Sequence, residues 1–315
     1  MRDTLAEVAI VGTGLVGCGW AVVFALGGAN VRLYDASEAQ RKDALQRIGM
    51  MLADLEAAAL AENIDAARAR VRIADTLAEA LDGVDYVQES VFERVDVKTD
   101  VANQIGALIS PEVVVGSSSS GLPASSFTKD AKNRERFLIA HPVNPPHLVP
   151  VVELVPAPWT DPEIVPWLRK MLVRVGKTPI EVKREIDGFI LNRLQWALVN
   201  EAWALFEEGY ASAADIDATI SQGLGLRWAF MGPFETIDLN APGGVADYAQ
   251  RFSASIHQIM SQRASPRQWP AELIDRVTAE RRATLPLDQL AARSQWRDRR
   301  LMHLVAHLRE QSKAE

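Results

Sequence analysis

Short hydrophobic runs recur along the first 180 residues, each followed by a longer stretch of mixed apolar and polar positions. The runs are Val8-Ala9-Ile10-Val11, Val31-Arg32-Leu33-Tyr34, Val84 to Gln88, Val113-Val114-Val115, Phe137 to Ala140, Val151 to Leu154, and Thr178 to Val182. Their β-branched and aromatic bias predicts buried strands. Residues 37–70, alanine-rich, free of proline and interrupted only by Gly49 and the polar stretch near Asn63, read as helical. A further helix is expected from about Glu93 to Leu108. Alternation of this kind predicts an α/β fold with a doubly wound, mostly parallel sheet. The pattern changes near Asp187. Phe189, Leu191, Leu194, Leu198, Ala202 and Leu205 recur at mostly three- and four-residue spacings, which predicts a long amphipathic helix over 189–208. Ser212, with Asp215 three residues on, caps the next helix. In the tail, Leu301, Leu304, Val305 and Leu308 form one stripe, a helix covering a core or a partner subunit. The expected division is an α/β domain over 1–186 and an all-helical domain over 187–315.

The first run leads straight into Gly12-x-Gly14-x-x-Gly17, and the apolar residues that follow read as a helix. Gly12 permits the tight turn, Gly14 lets the backbone approach a pyrophosphate, and Gly17 lets the helix pack on its strand. The helix start, with Leu15 and Val16, turns free N–H groups and the positive dipole end toward phosphates. The second run ends in Asp35, 18 residues after Gly17, where an acid can bond both ribose hydroxyls of adenosine. Strand, glycines, helix, strand and acid together predict a Rossmann-type dinucleotide site, and the acid repels a 2′-phosphate, favouring NAD over NADP.

Composition narrows the partners. The chain has 315 residues, 48% apolar composition and a formal charge of −7, which argues against a nucleic-acid or anionic-membrane role. One cysteine, Cys18, allows no internal disulfide and fits a reducing cytoplasm; its place in the first helix reads as packing. No stretch approaches the ~18–20 apolar residues of a membrane span, and the N-terminus runs directly into the first strand without a leader. No metal is expected.

In open α/β sheets ligands bind outside the carboxyl ends of the strands. Glu93, the run Ser117 to Ser120 and His141 all follow predicted strand ends. His141 opens His-Pro-Val-Asn-Pro-Pro, and Glu153 lies in a neighbouring run twelve residues on. A histidine paired with a carboxylate gains a fixed tautomer and a stabilised imidazolium. Removal of a hydroxyl proton during hydride transfer to a nicotinamide requires both.

The chain resembles the 3-hydroxyacyl-CoA dehydrogenase family, most closely its lambda-crystallin branch, the L-gulonate 3-dehydrogenases. The segments that carry the likeness are 11–14, 88–91, 140–146, 152–156, 188–195, 223–227, 232–236 and 291–298. The resemblance implies that His141 is the base in oxidation and Glu153 its orienting partner. It implies that Ser120 and Asn192 bond the substrate oxygens, and that Glu93 and Lys98 lie beside the nicotinamide. Without it, Glu93 could cap a helix and Lys98 could sit on its surface. Acyl-CoA members usually carry Ser-Asn-Thr-Ser where this chain has Ser117 to Ser120.

For the substrate, residues 48–67 contain no Lys or Arg but do contain Asp54, Glu56, Glu62 and Asp65. In acyl-CoA members a lysine-rich helical excursion occupies this region, so this stretch would repel coenzyme A. A small hydroxy acid needs a cation for its carboxylate. Arg227, after two glycines, is the candidate, a structural salt bridge being its alternative. The expected activity is NAD-dependent oxidation of the 3-hydroxyl of a small hydroxy acid, L-gulonate leading. The alternatives are an L-3-hydroxyacyl-CoA or carnitine-type dehydrogenase and a non-catalytic, crystallin-like NAD-binding protein. The helical second domain and the resemblance imply a homodimer.

Overall fold

The computed structural model describes residues 4–262 and 268–312. Its strands are β1 (Glu7–Val11), β2 (Asn30–Tyr34), β3 (Val71–Ile73), β4 (Tyr86–Glu89), β5 (Val114–Ser117), β6 (Phe137–Pro142), β7 (Val151–Pro156) and β8 (Thr178–Glu181). They form one sheet in the order β3-β2-β1-β4-β5-β6-β7-β8. Every neighbouring pair is parallel except β6 and β7. The helices that cross over are α1 (Leu15–Leu26), α2 (Glu38–Ala57), α3 (Ile64–Ala69), α4 (Leu77–Leu81), α5 (Val95–Leu108) and α6 (Ile164–Arg174). The expected mostly parallel, Rossmann-type sheet is therefore present, and a helical region follows it.

Burial on both faces makes the strands continuous apolar runs. Val8 and Ile10 of β1 face a core with Trp20, Phe24, Leu52 and Leu168. Ala9 and Val11 face the opposite core with Ile105, Phe127, Ile139 and Phe189. Each such large side chain contributes about 1.5–3 kcal/mol relative to leaving it exposed. Asp85 holds the start of β1 by accepting the N–H groups of Ala6 and Glu7 at 2.8 and 2.9 Å.

Several local expectations are corrected. The helix expected over 37–70 breaks after α2, where Ala59 and Asn63 adopt left-handed backbone with φ of 55° and 54°. Its end gives way to β3, a strand of three residues. α5 begins at Val95, which leaves Glu93 in the preceding loop, and Arg94 rather than Glu93 occupies the cap position. His141 lies within β6 rather than after it.

Contacts divide the chain into two units, one running to Arg193 and resuming at Asp298, the other Leu194–Arg297. The helices from here on are α7 (Leu191–Glu207), α8 (Ala213–Thr219), α9 (Gly225–Trp228), α10 (Pro233–Asp238), α11 (Gly244–Ser261), α12 (Ala271–Thr284) and α13 (Leu290–Ser312). α7 starts at Leu191, so Phe189 precedes the helix rather than opening it. In the second unit Trp203 stacks on Trp269 with ring centres 4.3 Å apart, and Arg281 pairs with Asp217 at 3.1 Å. Ser212 accepts the N–H of Asp215 at 3.1 Å, the expected cap. In the first unit Leu301 and Met302 of α13 pack on the α1 side of the sheet. No helix among the described residues is long and apolar enough to cross a membrane.

Candidate active site

The loop after β1 is shaped by two close approaches. Gly12 has φ of 98°, and its N–H donates to the Tyr34 carbonyl at 2.8 Å. A Cβ there would lie 2.5 Å from the Ser90 carbonyl oxygen. A Cβ on Gly17 would lie 1.9 Å from the Gly12 carbonyl oxygen, so α1 rests directly on the loop. Gly14 differs: nothing lies within 4 Å of the place its Cβ would take. Gly14 is also the N-cap of α1 and supplies no side-chain cap, which leaves the amides of Leu15 and Val16 at an open helix start. This open cradle fits a pyrophosphate.

Asp35, at the end of β2, ties that loop to the next turn. Its carboxylate accepts the N–H of Thr13 at 2.8 Å and of Ser37 at 2.9 Å. Two arginines that the sequence did not single out join it. Arg41 lies 5.9 Å from the Tyr34 ring centre and donates to the Asp35 carbonyl, and Arg47 donates to the Thr13 carbonyl at 3.1 Å.

The ends of β4 and β5 carry a buried ionic cluster. Lys98 of α5, 1% exposed, donates to both carboxylate oxygens of Glu89 at 3.0 and 3.1 Å. It also faces Glu93 at 3.5 Å. Lys98 is thus buried in the site rather than on a helix surface. Glu89, missed in the sequence, also accepts from the Ser117 hydroxyl at 2.5 Å and the Val91 N–H at 2.7 Å. Glu93 accepts from the Ser119 hydroxyl at 2.7 Å and from the N–H groups of Ser120 and Gly121 at 2.8 and 3.1 Å. Burial pushes the Glu93 carboxyl up, but the Ser119 bond, the Lys98 charge and the two amides together hold it below the usual carboxylate range.

The β6–β7 pairing sets His141 directly opposite Glu153. His141 Nδ1 lies 2.8 Å from Glu153 Oε2, and Glu153 is fully buried. The other carboxylate oxygen accepts the N–H groups of Ile190 and Leu191, both at 2.9 Å, at the start of α7. Burial raises the Glu153 carboxyl, yet the bonds from His141, Leu191 and Ile190 and the His141 charge bring it below its ordinary value. An ionised Glu153 places the proton of a neutral His141 on Nδ1 and leaves Nε2 with the lone pair. The turn before α7 is strained: Phe189, fully buried, has φ of 49°. Its ring centre lies 5.8 Å from that of His141. Asn192, one residue past Leu191, donates its side-chain amide to the Ser120 carbonyl at 2.5 Å.

These contacts link Lys98, Glu93, Ser120 and Asn192 in one chain of bonds, with the His141–Glu153 pair anchored to the same helix start. Arg227 lies in the second unit, on the exposed surface of α9. A π-helical turn, Ile220–Leu224, precedes it.

Two family models match most of the chain: 3-hydroxyacyl-CoA dehydrogenase, NAD binding domain, over residues 7–186, and 3-hydroxyacyl-CoA dehydrogenase, C-terminal domain, over 188–269. The chain belongs to the 3-hydroxyacyl-CoA dehydrogenase family. It is an NAD-dependent oxidoreductase acting on CH–OH groups, and the glycine loop, α1 and Asp35 fit NAD. Within this family it is similar to lambda-crystallin of Oryctolagus cuniculus, 38% identical over 304 residues that cover 95% of each chain. It is 38% identical to L-carnitine dehydrogenase of Streptomyces griseus over 259 residues, 81% of this chain and 76% of that one. FHMPC 5-dehydrogenase, an NAD+-dependent dismutase named for a pyridine carboxylic acid, superposes with a TM-score of 0.81 at 27% identity. That match covers 97% of this chain and 98% of the other.

For this dehydrogenase the buried ion pair offers a direct test. Lys98→Met leaves the Glu89 charge buried without its partner and is expected to destabilise the fold by about 3–5 kcal/mol. The double variant Glu89→Gln/Lys98→Met, which removes both charges, is expected to recover most of that loss in urea denaturation. A double variant no more stable than the single one contradicts the pairing.

Proposed function

We propose that the enzyme oxidises the 3-hydroxyl of a small free hydroxy acid, with L-gulonate the leading substrate and NAD the acceptor. The observation that carries the reading is the His141–Glu153 pair. Its Nδ1 side is committed to a buried carboxylate, so Nε2 serves as the base. In this reading His141 takes the hydroxyl proton, and Glu153 holds the imidazole and stabilises its charged form. Ser120 and Asn192 bond the substrate oxygens and orient the carbon that loses hydride. Gly12, Gly14, Leu15, Val16 and Gly17 hold the pyrophosphate, Asp35 the adenosine ribose, and Glu93 and Lys98 border the nicotinamide half. Bound NAD supplies the hydride acceptor.

Two observations support a free acid over a coenzyme A thioester. Residues 48–67, the end of α2 and the start of α3, present four acids and no base where coenzyme A phosphates would need cations. L-carnitine dehydrogenase and FHMPC 5-dehydrogenase are both named for small acids. Arg227 is assigned to the substrate carboxylate, because a guanidinium holds a carboxylate in bidentate fashion. The π-helical turn before it is a feature that recurs at functional sites. The family name favours a second reading, a 3-hydroxyacyl-CoA substrate.

The second unit exposes Leu226, Phe230, Phe234, Leu239 and Ile259. So much apolar surface on one unit supports a homodimer formed through it. The single buried cysteine supports a cytoplasmic setting.

NADH formation with L-gulonate, L-3-hydroxybutyrate, L-carnitine and L-3-hydroxybutyryl-CoA tests the assignment. Turnover is expected on a free acid, and preference for the thioester contradicts the reading. Arg227→Ala is expected to raise KM for the acid about 10- to 100-fold with a smaller change in kcat, since it removes a charge-assisted contact made by bound substrate. In sedimentation equilibrium the chain is expected at twice its own mass, and a single-chain mass excludes the dimer.

A further inference from the structure

The first unit holds a concavity of about 760 Å³, which shares no residue with the site above. That volume lies within the range of small-molecule sites. Its apolar wall comes from Val22 and Leu26 of α1, Leu55 of α2, Leu60, and Val305 and Leu308 of α13. Lys177, Arg174 and Arg309 line it as well, and no Asp or Glu does so among the described residues. This is unexpected in a chain with 41 acidic and 34 basic residues.

Two of the cations are held by backbone carbonyls. Lys177, buried, donates to the carbonyls of Pro146 and Val149, the latter at 2.9 Å, and lies 5.7 Å from the Trp20 ring centre. Arg309 donates to the Leu60 carbonyl at 3.1 Å. Burial, with the Arg309 charge added, lowers the Lys177 ammonium to about 8. Asp298, the acid that acts on His147 at the cavity's edge, is not part of the lining. Positive charge brought together beside an apolar wall is complementary to a ligand with an anionic head and a hydrocarbon tail.

We propose that this cavity binds a single-chain amphipathic carboxylate, a medium-chain fatty acid, with its head on Arg309, Arg174 and Lys177 and its tail along α1, α2 and α13. The apolar wall selects against small inorganic anions, and the cations select against neutral alcohols. One side of the cavity, His147 to Pro150, continues the segment that begins at His141.

Calorimetric titration of the full chain, saturated with NADH, with decanoate is the test. One site per chain is expected, and Arg174→Glu/Arg309→Glu is expected to weaken binding by about tenfold or more. Turnover of the best substrate by that variant is expected to stay within about twofold of the parent, because the substitutions touch no reacting group. Leu308→Trp, which narrows the apolar wall without altering charge, is also expected to weaken decanoate. Absence of binding, or equal affinity in the charge-reversed chain, overturns the proposal. Decanol binding as tightly as decanoate overturns the role of the cations. Decyl phosphate binding more tightly than decanoate overturns the choice of a carboxylate head.

Discussion

A carboxylate removed from water needs compensation from every side, and the Glu153 carboxylate obtains it from two separate parts of the chain. One oxygen meets His141 across the β6–β7 pair, and the other meets the amides of Ile190 and Leu191. Without those partners the buried charge would cost several kcal/mol. With them, three results follow from one group. The imidazole tautomer is fixed, the start of α7 is pinned to the sheet, and Asn192 is delivered to Ser120. The antiparallel β6–β7 pairing has a local consequence here, since its register sets residues 141 and 153 face to face.

A second compensated charge organises the other half of the site. Glu89 and Lys98 neutralise each other inside the sheet's edge, and Glu93 extends the cluster outward to collect the amides of Ser120 and Gly121. Ser120 is therefore held by Glu93 on one side and by Asn192 on the other. The glycine loop adjoins this cluster through Ser90, whose carbonyl leaves no room for a side chain at Gly12. Cofactor cradle, acidic cluster and histidine pair are thus coupled through short stretches of backbone, which is how strands ending on one edge assemble a site.

Much of this was legible in the sequence because it depends on local order. The glycine turn, the place of Asp35 after the second strand and the long helix expected over 189–208 follow from spacing and periodicity, which short-range sterics enforce. β3 was not legible: three residues carry no measurable period, and an arginine sits at the centre. The polar stretch near Asn63 marked an interruption, but the left-handed backbone at Ala59 that ends α2 falls where no glycine announces it. Glu89 was missed because the burial of a charge is decided by a partner nine residues away on another element. Arg41 and Arg47 carry no local signal, and only the fold brings Arg47 to the Thr13 carbonyl of the glycine loop and Arg41 to the Asp35 carbonyl. The strained Phe189 backbone, too, is visible only where Glu153 draws in the next two amides.

The most direct measurement compares turnover and NAD affinity in His141→Ala and Glu153→Gln, each against the parent enzyme. If Glu153 holds the base, His141→Ala loses about 10²–10⁴ of kcat, as expected for removal of general-base catalysis. Glu153→Gln then loses kcat in the same direction, while NAD still binds both variants with parental affinity. Turnover in His141→Ala within a few-fold of the parent would contradict the account.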